Sequence, residues 1–263
     1  MTVLLYQQDD RGVAHVTLDR PDVHNAFNEE LIAALTDAFA DIATSSRVRV
    51  VVLQSNGASF CAGADLDWMR RAAHYDDAHN LRDATALMTM LDTIDRCPKP
   101  VIAAVQGPAY GGGVGLAACA DIAIATERAA FRLSEVKLGL IPATISPFVL
   151  QAIGARQARR YFLTAESFSA EDAHRFGLVH EVVHDEAALK QRVETLVETL
   201  LANAPGAITE AKALVRDFAS RAISPELQAD ASQRIAHRRA SAEGKEGIAA
   251  FLGKRPPDWM THA

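Results

Sequence analysis

Three cysteines in 263 residues, Cys61, Cys97 and Cys119, are too few and too dispersed for a disulfide framework, and no CxxC pair occurs. A reducing compartment fits this usage, and a cytoplasmic protein is expected. Positive charge is short as well. The chain carries 27 Lys and Arg against 33 Asp and Glu, a net charge of −6, whereas a surface that tracks phosphates needs clustered cations. Nucleic acid is not an expected partner. No stretch reaches the roughly 18 consecutive apolar residues that cross a bilayer, so no membrane partner is expected either. Met1 to Arg11 has neither the basic-then-apolar order of a secretory signal nor the Arg/Ser-rich look of a transit peptide. There is no GxxxxGK[ST], no GxSxG, no internal repeat and no low-complexity tract. What remains is a globular composition, 49% hydrophobic and 23% charged, in a chain long enough to bury a large core.

The segment from Val101 to Pro142 organises that chain. It opens with the apolar, β-branched run Val101 to Val105, set off by Pro98 and Pro100, which reads as a buried strand. Gln106 to Tyr110 reads as a loop, and Gly111 to Cys119 passes from glycine into small apolar residues, as at the start of a closely packed helix. A strand over Asp121 to Ala125 follows, and Phe131 to Glu135 then delivers one carboxylate just ahead of the apolar Leu138 to Pro142.

Elsewhere, Val3 to Tyr6 and Val13 to Leu18 read as a hairpin around Asp9 to Gly12. Asn28 is placed to cap a helix with apolar positions at Leu31, Ile32, Leu35, Phe39 and Ile42. Val48 to Gln54 reads as a strand, and after it Ser55 to Leu66 forms a second place where strand gives way to small residues and then to a helix. Helical spacing continues over Leu81 to Ile94, Ser146 to Ile153, Arg156 to Leu163, Ala170 to Phe176 and Glu186 to Leu201. Three more helices are expected over Pro205 to Ser220, Pro225 to Ala240 and Glu243 to Leu252, with so few large apolar residues that this region should pack on something else.

Two motifs compete for the chemistry and lose. His180 to His184 matches HExxH, but the zinc reading requires a helix, and the branched residues here suit a strand with two exposed histidines; no metal site is expected. Gly113 to Ala118 matches GxGxxA, yet a dinucleotide site needs those glycines directly after a strand and an acid at the end of the next one. Here loop residues intervene and Glu135 lies too far along.

The reading that uses both strand-to-helix turns is stronger. At such a turn the first helical amides have no intrahelical acceptor and carry the positive end of the dipole. Two amides from different turns meeting one carbonyl oxygen make an oxyanion hole, and small residues let a substrate approach the backbone. A thioester carbonyl that becomes an enolate is such a group, and Glu135 nearby can move the α-proton. Taken singly, Gly111 to Gly113 is a tight packing turn and Glu135 a surface acid; it is the combination that points to chemistry.

In order and spacing these residues resemble the enoyl-CoA hydratase/isomerase (crotonase) superfamily over nearly the whole chain. Asp19-Arg20-Pro21 with Asn25-Ala26-Phe27 is similar to its opening loop, Ser59 to Leu66 to its first oxyanion segment, Tyr110 to Gly113 to its second, Phe131 to Pro142 to its glutamate segment, and Glu246 to Arg255 to its last helix. The resemblance implies an α/β fold: a β-β-α spiral core over 1–203, a C-terminal helical trimerisation region over 204–263, and a homotrimer or homohexamer. It also implies catalysis by Glu135 with the amides of Ala64 and Gly112. Coenzyme A would lie against Val23, Ala62, Ala64, Asp65, Leu66 and Gly112, with Phe251 and Lys254 reaching it from an adjacent subunit. Coenzyme A belongs to the substrate, so no separate cofactor is expected.

One departure stands out. Family hydratases carry a second glutamate three residues past the oxyanion glycine, where this chain has Gly115. A hydratase working with one glutamate is expected, with a double-bond isomerase or a non-catalytic acyl-CoA binder as alternatives. Ala109 to Leu116, Leu133 to Lys137 and Ile145 to Pro147 further resemble bacterial hydratases of methylglutaconyl-CoA and related glutaconyl-CoA esters, so a branched or carboxylated enoyl-CoA is the expected substrate. A carboxylated substrate would need a cation, and Arg70, Arg71, His74 and Arg132 are the candidates.

Overall fold

The computed structural model describes residues 2–261. Strands β1 (Leu4–Gln8) and β2 (Val13–Leu18) pair antiparallel, and their turn is closed by Asp9, whose Oδ1 accepts the amides of Arg11 at 3.0 Å and Val13 at 2.9 Å. β2 then starts a parallel run through β3 (Val50–Ser55), β4 (Val101–Val105), β6 (Ile122–Thr126) and β9 (Glu181–Val183), giving the order β1-β2-β3-β4-β6-β9. Both faces of this sheet are covered, which is why β3 and β4 read as unbroken apolar runs rather than alternating ones. Val51 and Leu53 enter the main core, whereas Val50 and Val52 point the other way, onto Leu189, Val193 and Val197 of α7 (Glu186–Leu201).

The main core lies under α1 (Glu29–Thr44), α3 (Asp77–Asp95) and α4 (Gly112–Cys119). As expected, Asn28 caps α1, its side chain accepting the Leu31 amide at 2.9 Å, and Leu31, Leu35, Phe39 and Ile42 form the buried stripe. Between β3 and α3 comes the short α2 (Leu66–Ala72). A second sheet joins β5 (Ala109–Tyr110), β7 (Ala130–Arg132) and β8 (Ser167–Ser169). Ala109 and Tyr110 were expected in a loop; two residues give no readable alternation, and only pairing with β7 makes them a strand.

Beyond it, α5 (Ser146–Thr164) breaks at Gly154, whose φ of 71° and ψ of 160° split it into the two helical stretches read from the sequence. α6 (Ala170–Phe176) precedes β9. After α7 the chain is helical: α8 (Pro205–Phe218), α9 (Pro225–Ala240), α10 (Ala242–Leu252) and the unforeseen α11 (Asp258–Thr261). The expected boundary at 203/204 falls in the gap between α7 and α8, and residues 262–263 of the expected C-terminal region lie outside the described residues. Among the described residues no helix is long and apolar enough to cross a membrane.

Candidate active site

The first turn is built by the loop ahead of α1. His24 and Asn25 take left-handed backbone, φ 54° and 55°, and the buried Asn25 amide holds them there. Its Nδ2 donates to Asn56 O at 2.8 Å and Ser59 O at 2.9 Å, and its Oδ1 accepts the Arg20 amide at 2.8 Å. Left-handed geometry favours Asn among non-glycine residues. The Arg20 guanidinium reaches Ala26 O and, at 2.8 Å, Asp65 Oδ2. Asp65 in turn caps α2, accepting the amides of Asp67 at 2.8 Å and Trp68 at 3.2 Å. Burial alone would raise the Asp65 pKa, but Arg20 and these amides outweigh it and hold the carboxyl below the usual range.

This frame orients one amide. Phe27 forms a parallel bridge with Ala64: Phe27 N donates to Gly63 O at 2.6 Å, and Asp65 N to Phe27 O at 2.8 Å. In a parallel pair the bridging residue is bonded by its partner's two neighbours, so the N–H of Ala64 itself points away from Phe27. Among the described residues it donates no backbone hydrogen bond.

The second turn sits directly against the first. Cys61 bridges to Ala109, and Tyr110 N donates to Cys61 O at 2.8 Å. Gly111 takes φ 51° and ψ −116°, and its amide is spent on Arg132 O at 2.8 Å. Gly112 then opens α4, so its N–H belongs to the amides without an intrahelical acceptor. There is no room for side chains between the turns. A Cβ on Gly112 would lie 2.6 Å from Phe27 Cε2, one on Gly113 2.3 Å from Cys61 O, and one on Gly63 3.0 Å from Tyr110 O. The glycines of the GxGxxA pattern are therefore contact points within a buried helix.

Glu135 opens a short 3-10 turn, Glu135–Leu138, and its carbonyl accepts the Leu140 amide at 3.0 Å. Its side chain is turned to the glycine turn, since a Cβ on Gly111 would lie 3.2 Å from Glu135 Oε1. Oε2 is buried and has no hydrogen-bond partner among the described residues. Burial pushes the pKa up, which suits a group that must both take and give a proton. Ile145, just ahead of α5, faces Gly115: a Cβ there would lie 2.6 Å from Ile145 Cγ2. The sequence reading missed this contact, because nothing in a lone isoleucine thirty residues on signals it.

The structure thus brings Ala64, Gly112 and Glu135 together through Phe27, Gly63, Tyr110 and Gly111. Ala62 lies in the same frame, its amide donating to His24 O at 3.0 Å. Val23 and Leu66 are exposed at its edge, Leu66 by 69%. The Asp65 side chain is committed to Arg20 and α2, its amide to Phe27 O and its carbonyl to the Met69 amide. Phe251, 82% exposed, and Lys254, at φ 51°, stand at the end of α10, in the C-terminal helices. Of the candidate cations, Arg70 pairs with Asp67 and Arg71 with Glu29, and His74 is exposed. Arg132 lies beside Tyr110 with a buried Nε that has no partner among the described residues. The histidines of the HExxH pattern flank strand β9: the His180 ring accepts the Ala123 amide at 3.1 Å, and His184 meets Glu127 at 3.1 Å. Among the described residues no three His, Cys, Asp or Glu side chains are grouped to hold a metal.

Residues 8–262 match the family model for enoyl-CoA hydratase/isomerase. The chain belongs to the enoyl-CoA hydratase/isomerase family. A crystal structure of an enoyl-CoA hydratase from Shewanella pealeana superposes with a TM-score of 0.94 at 43% identity, covering 98% of this chain and 96% of that one. The fold is therefore the crotonase fold. The enoyl-CoA hydratase AKT6-1 of Alternaria alternata is 40% identical over 205 residues, 78% of this chain and 67% of that protein. The 2,3-dehydroadipyl-CoA hydratase of Escherichia coli is 34% identical across 98% of this chain and 99% of its own length. The chain is thus an enzyme of this family, and membership implies an acyl-CoA substrate.

Proposed function

We propose that the enzyme adds water across the 2,3 double bond of an acyl-CoA thioester, with the Ala64 and Gly112 amides on the thioester oxygen and Glu135 as the only acid/base. The observation that carries this reading is the pairing of an outward-turned Ala64 amide with the Glu135 carboxyl across the Gly111 turn, its buried Oε2 having no partner among the described residues. Glu135 takes a proton from water as the oxygen bonds to C3, the C2–C3 electron pair moves into the enolate held by the two amides, and the same carboxyl returns the proton to C2. One glutamate closes the cycle. The test is turnover of 2-enoyl-CoA and 3-enoyl-CoA esters by the parent protein and by Glu135→Gln. Glu135-dependent loss of the conjugated thioester supports hydration, and its absence with both esters sinks the reading.

Migration of a double bond from C3 to C2 is the second reading, favoured by the apolar Ile145 at the place of a second carboxylate. It uses the same enolate. For the acyl group we favour a branched or carboxylated chain, of the methylglutaconyl-CoA type. Two facts support this: the buried Nε of Arg132, which has no partner among the described residues, and the 2,3-dehydroadipyl-CoA hydratase similarity, that relative being named for a carboxylated substrate. Arg132→Met should then lower kcat/KM on a carboxylated ester on the order of tenfold or more while sparing crotonyl-CoA; equal losses on both esters would remove Arg132 from substrate recognition.

A further inference from the structure

Gly115 lies one helical turn past Gly112 on α4, and the space its side chain would occupy is already full. A Cβ there would stand 2.6 Å from Ile145 Cγ2, 3.2 Å from Ile145 Cβ and 3.5 Å from Leu91 Cδ2. Neither neighbour has room to retreat, since Ile145 and Leu91 are both buried. Ile145 is β-branched and stiff at χ1. Pro147 occupies the second position of α5, and the Ile145 carbonyl accepts the Val149 amide at 3.1 Å, which ties Ile145 to the first turn of that helix. The wall beside the second oxyanion turn is therefore apolar and rigid, and it excludes any side chain larger than hydrogen from position 115.

We propose that Ile145 is a specificity-determining residue, filling the space through which a group at position 115 would reach the substrate and so setting the ratio of water addition to double-bond migration. This rests on the reading that Glu135 moves protons beside Ala64 and Gly112. Both reactions share the enolate. In migration the C2–H bond of a 3-enoyl ester breaks, its proton passes to Glu135, the electron pair enters the enolate, and Glu135 delivers the proton to C4 as the double bond settles between C2 and C3. In hydration the proton on Glu135 comes from water, whose oxygen bonds to C3. The branch between them is whether a water is held near C3. An apolar wall supplies no partner for such a water, because a buried water needs two or more polar contacts. On this side no group helps Glu135 to hold it, and whatever Ile145 takes from that volume favours migration.

The experiment follows three readouts in the parent protein, Ile145→Val, Ile145→Ala, Gly115→Glu and the double variant Gly115→Glu/Ile145→Ala. The first is exchange of the α-proton of a saturated acyl-CoA with deuterated water, which needs only the amides and Glu135. The second is hydration of 2-hexenoyl-CoA, and the third migration in 3-hexenoyl-CoA. Gly115→Glu alone should lose all three. Ile145→Ala and the double variant should keep exchange near the parent level and raise the hydration-to-migration ratio on the order of tenfold, the scale of a one- or two-methylene change in a packed pocket. The double variant should gain the most, because it adds a polar partner for water. Ile145→Val, which barely perturbs packing, should move the ratio the same way by a smaller factor, so misfolding of the larger changes does not rescue the proposal. An unchanged ratio with exchange intact overturns it and leaves Ile145 as packing only. Absence of Glu135-dependent exchange in the parent protein overturns the underlying reading, and this proposal with it.

Discussion

Phe27, Phe39, Phe60 and Phe131 are wholly buried in the part of the chain that ends with α7, whereas α8 buries none of its residues and α9 and α10 one each, Leu227 and Ala250. The contrast is not one of composition alone. Val215, Ile223, Ile235, Ile248, Phe251 and Leu252 are large and apolar, yet all stand exposed. Polar contacts tie this region to the core: Lys212 meets Asp121 at 2.7 Å, Thr209 donates to Pro98 O at 2.9 Å, and Arg49 donates to Asn203 O at 2.9 Å and Trp259 O at 3.1 Å. The first region stabilises itself and carries the candidate chemistry. The second has apolar surface left over, as an element does when it is shaped to meet another protein surface.

The largest expected effect lies entirely on the core side of this comparison. Glu135→Gln should lower kcat by about 10²-fold or more with little change in KM, since it removes proton transfer and keeps the shape. Steady-state kinetics on an enoyl-CoA ester checks it. An equal loss of kcat from Phe251→Ser would erase the division of labour between the two regions.

Phe27 sharpens the comparison next. Its backbone bridges to Ala64 and its ring fills the space over Gly112, so Phe27→Ala should cost about 3–5 kcal/mol of stability and lower turnover as both amides lose their support. Urea unfolding and kinetics measure the two losses. Stability loss without any change in rate would mean that the amides do not depend on the ring.

On the other side, Ile248→Ser and Phe251→Ser should leave core unfolding within about 0.5 kcal/mol, as surface changes do. We expect the parent protein to be a trimer or hexamer by light scattering, and these variants to shift it toward monomer. A parent that is monomeric at micromolar concentration would break the comparison, since the exposed apolar residues would then have no occupant.

The two regions also differ in how far the sequence reveals them. β3, β4, α1 and α7 are legible because their side chains carry the period of a buried strand or an amphipathic helix, and Asn28 announces the start of α1. Glu135 and Gly112 are legible through family motifs. Ile145 is not, because its meeting with Gly115 depends on how the segment after Glu135 folds back over α4, which no local pattern encodes. β5, β7 and β8 are also hidden: strands of two or three residues exist only through their partners. In the C-terminal helices the reverse holds. Pro205, Pro225 and the Ser224 cap make the helices plain, while what their apolar residues meet is not written in the chain.

The smallest predicted effect concerns stability and again separates Glu135 from its solvated counterparts. Burial raises its folded-state pKa above the usual carboxylate range, and Oε2 is buried with no partner among the described residues. The sign follows from linkage. Below the usual carboxylate pKa, Glu135 is protonated in both folded and unfolded chains and contributes no penalty. As pH rises through the usual value the unfolded chain ionises first, and native stability falls until pH passes the raised folded-state value. Glu135→Gln removes that penalty, at the smaller cost of a neutral buried amide. Unfolding curves for the two proteins from acid to neutral pH should therefore nearly coincide at the acid end and separate toward neutrality, with the inactive variant the more stable. A constant gap, or a parent protein that is the more stable at neutral pH, would mean that the Glu135 carboxylate is solvated, and would remove the reason to assign it both halves of the proton transfer.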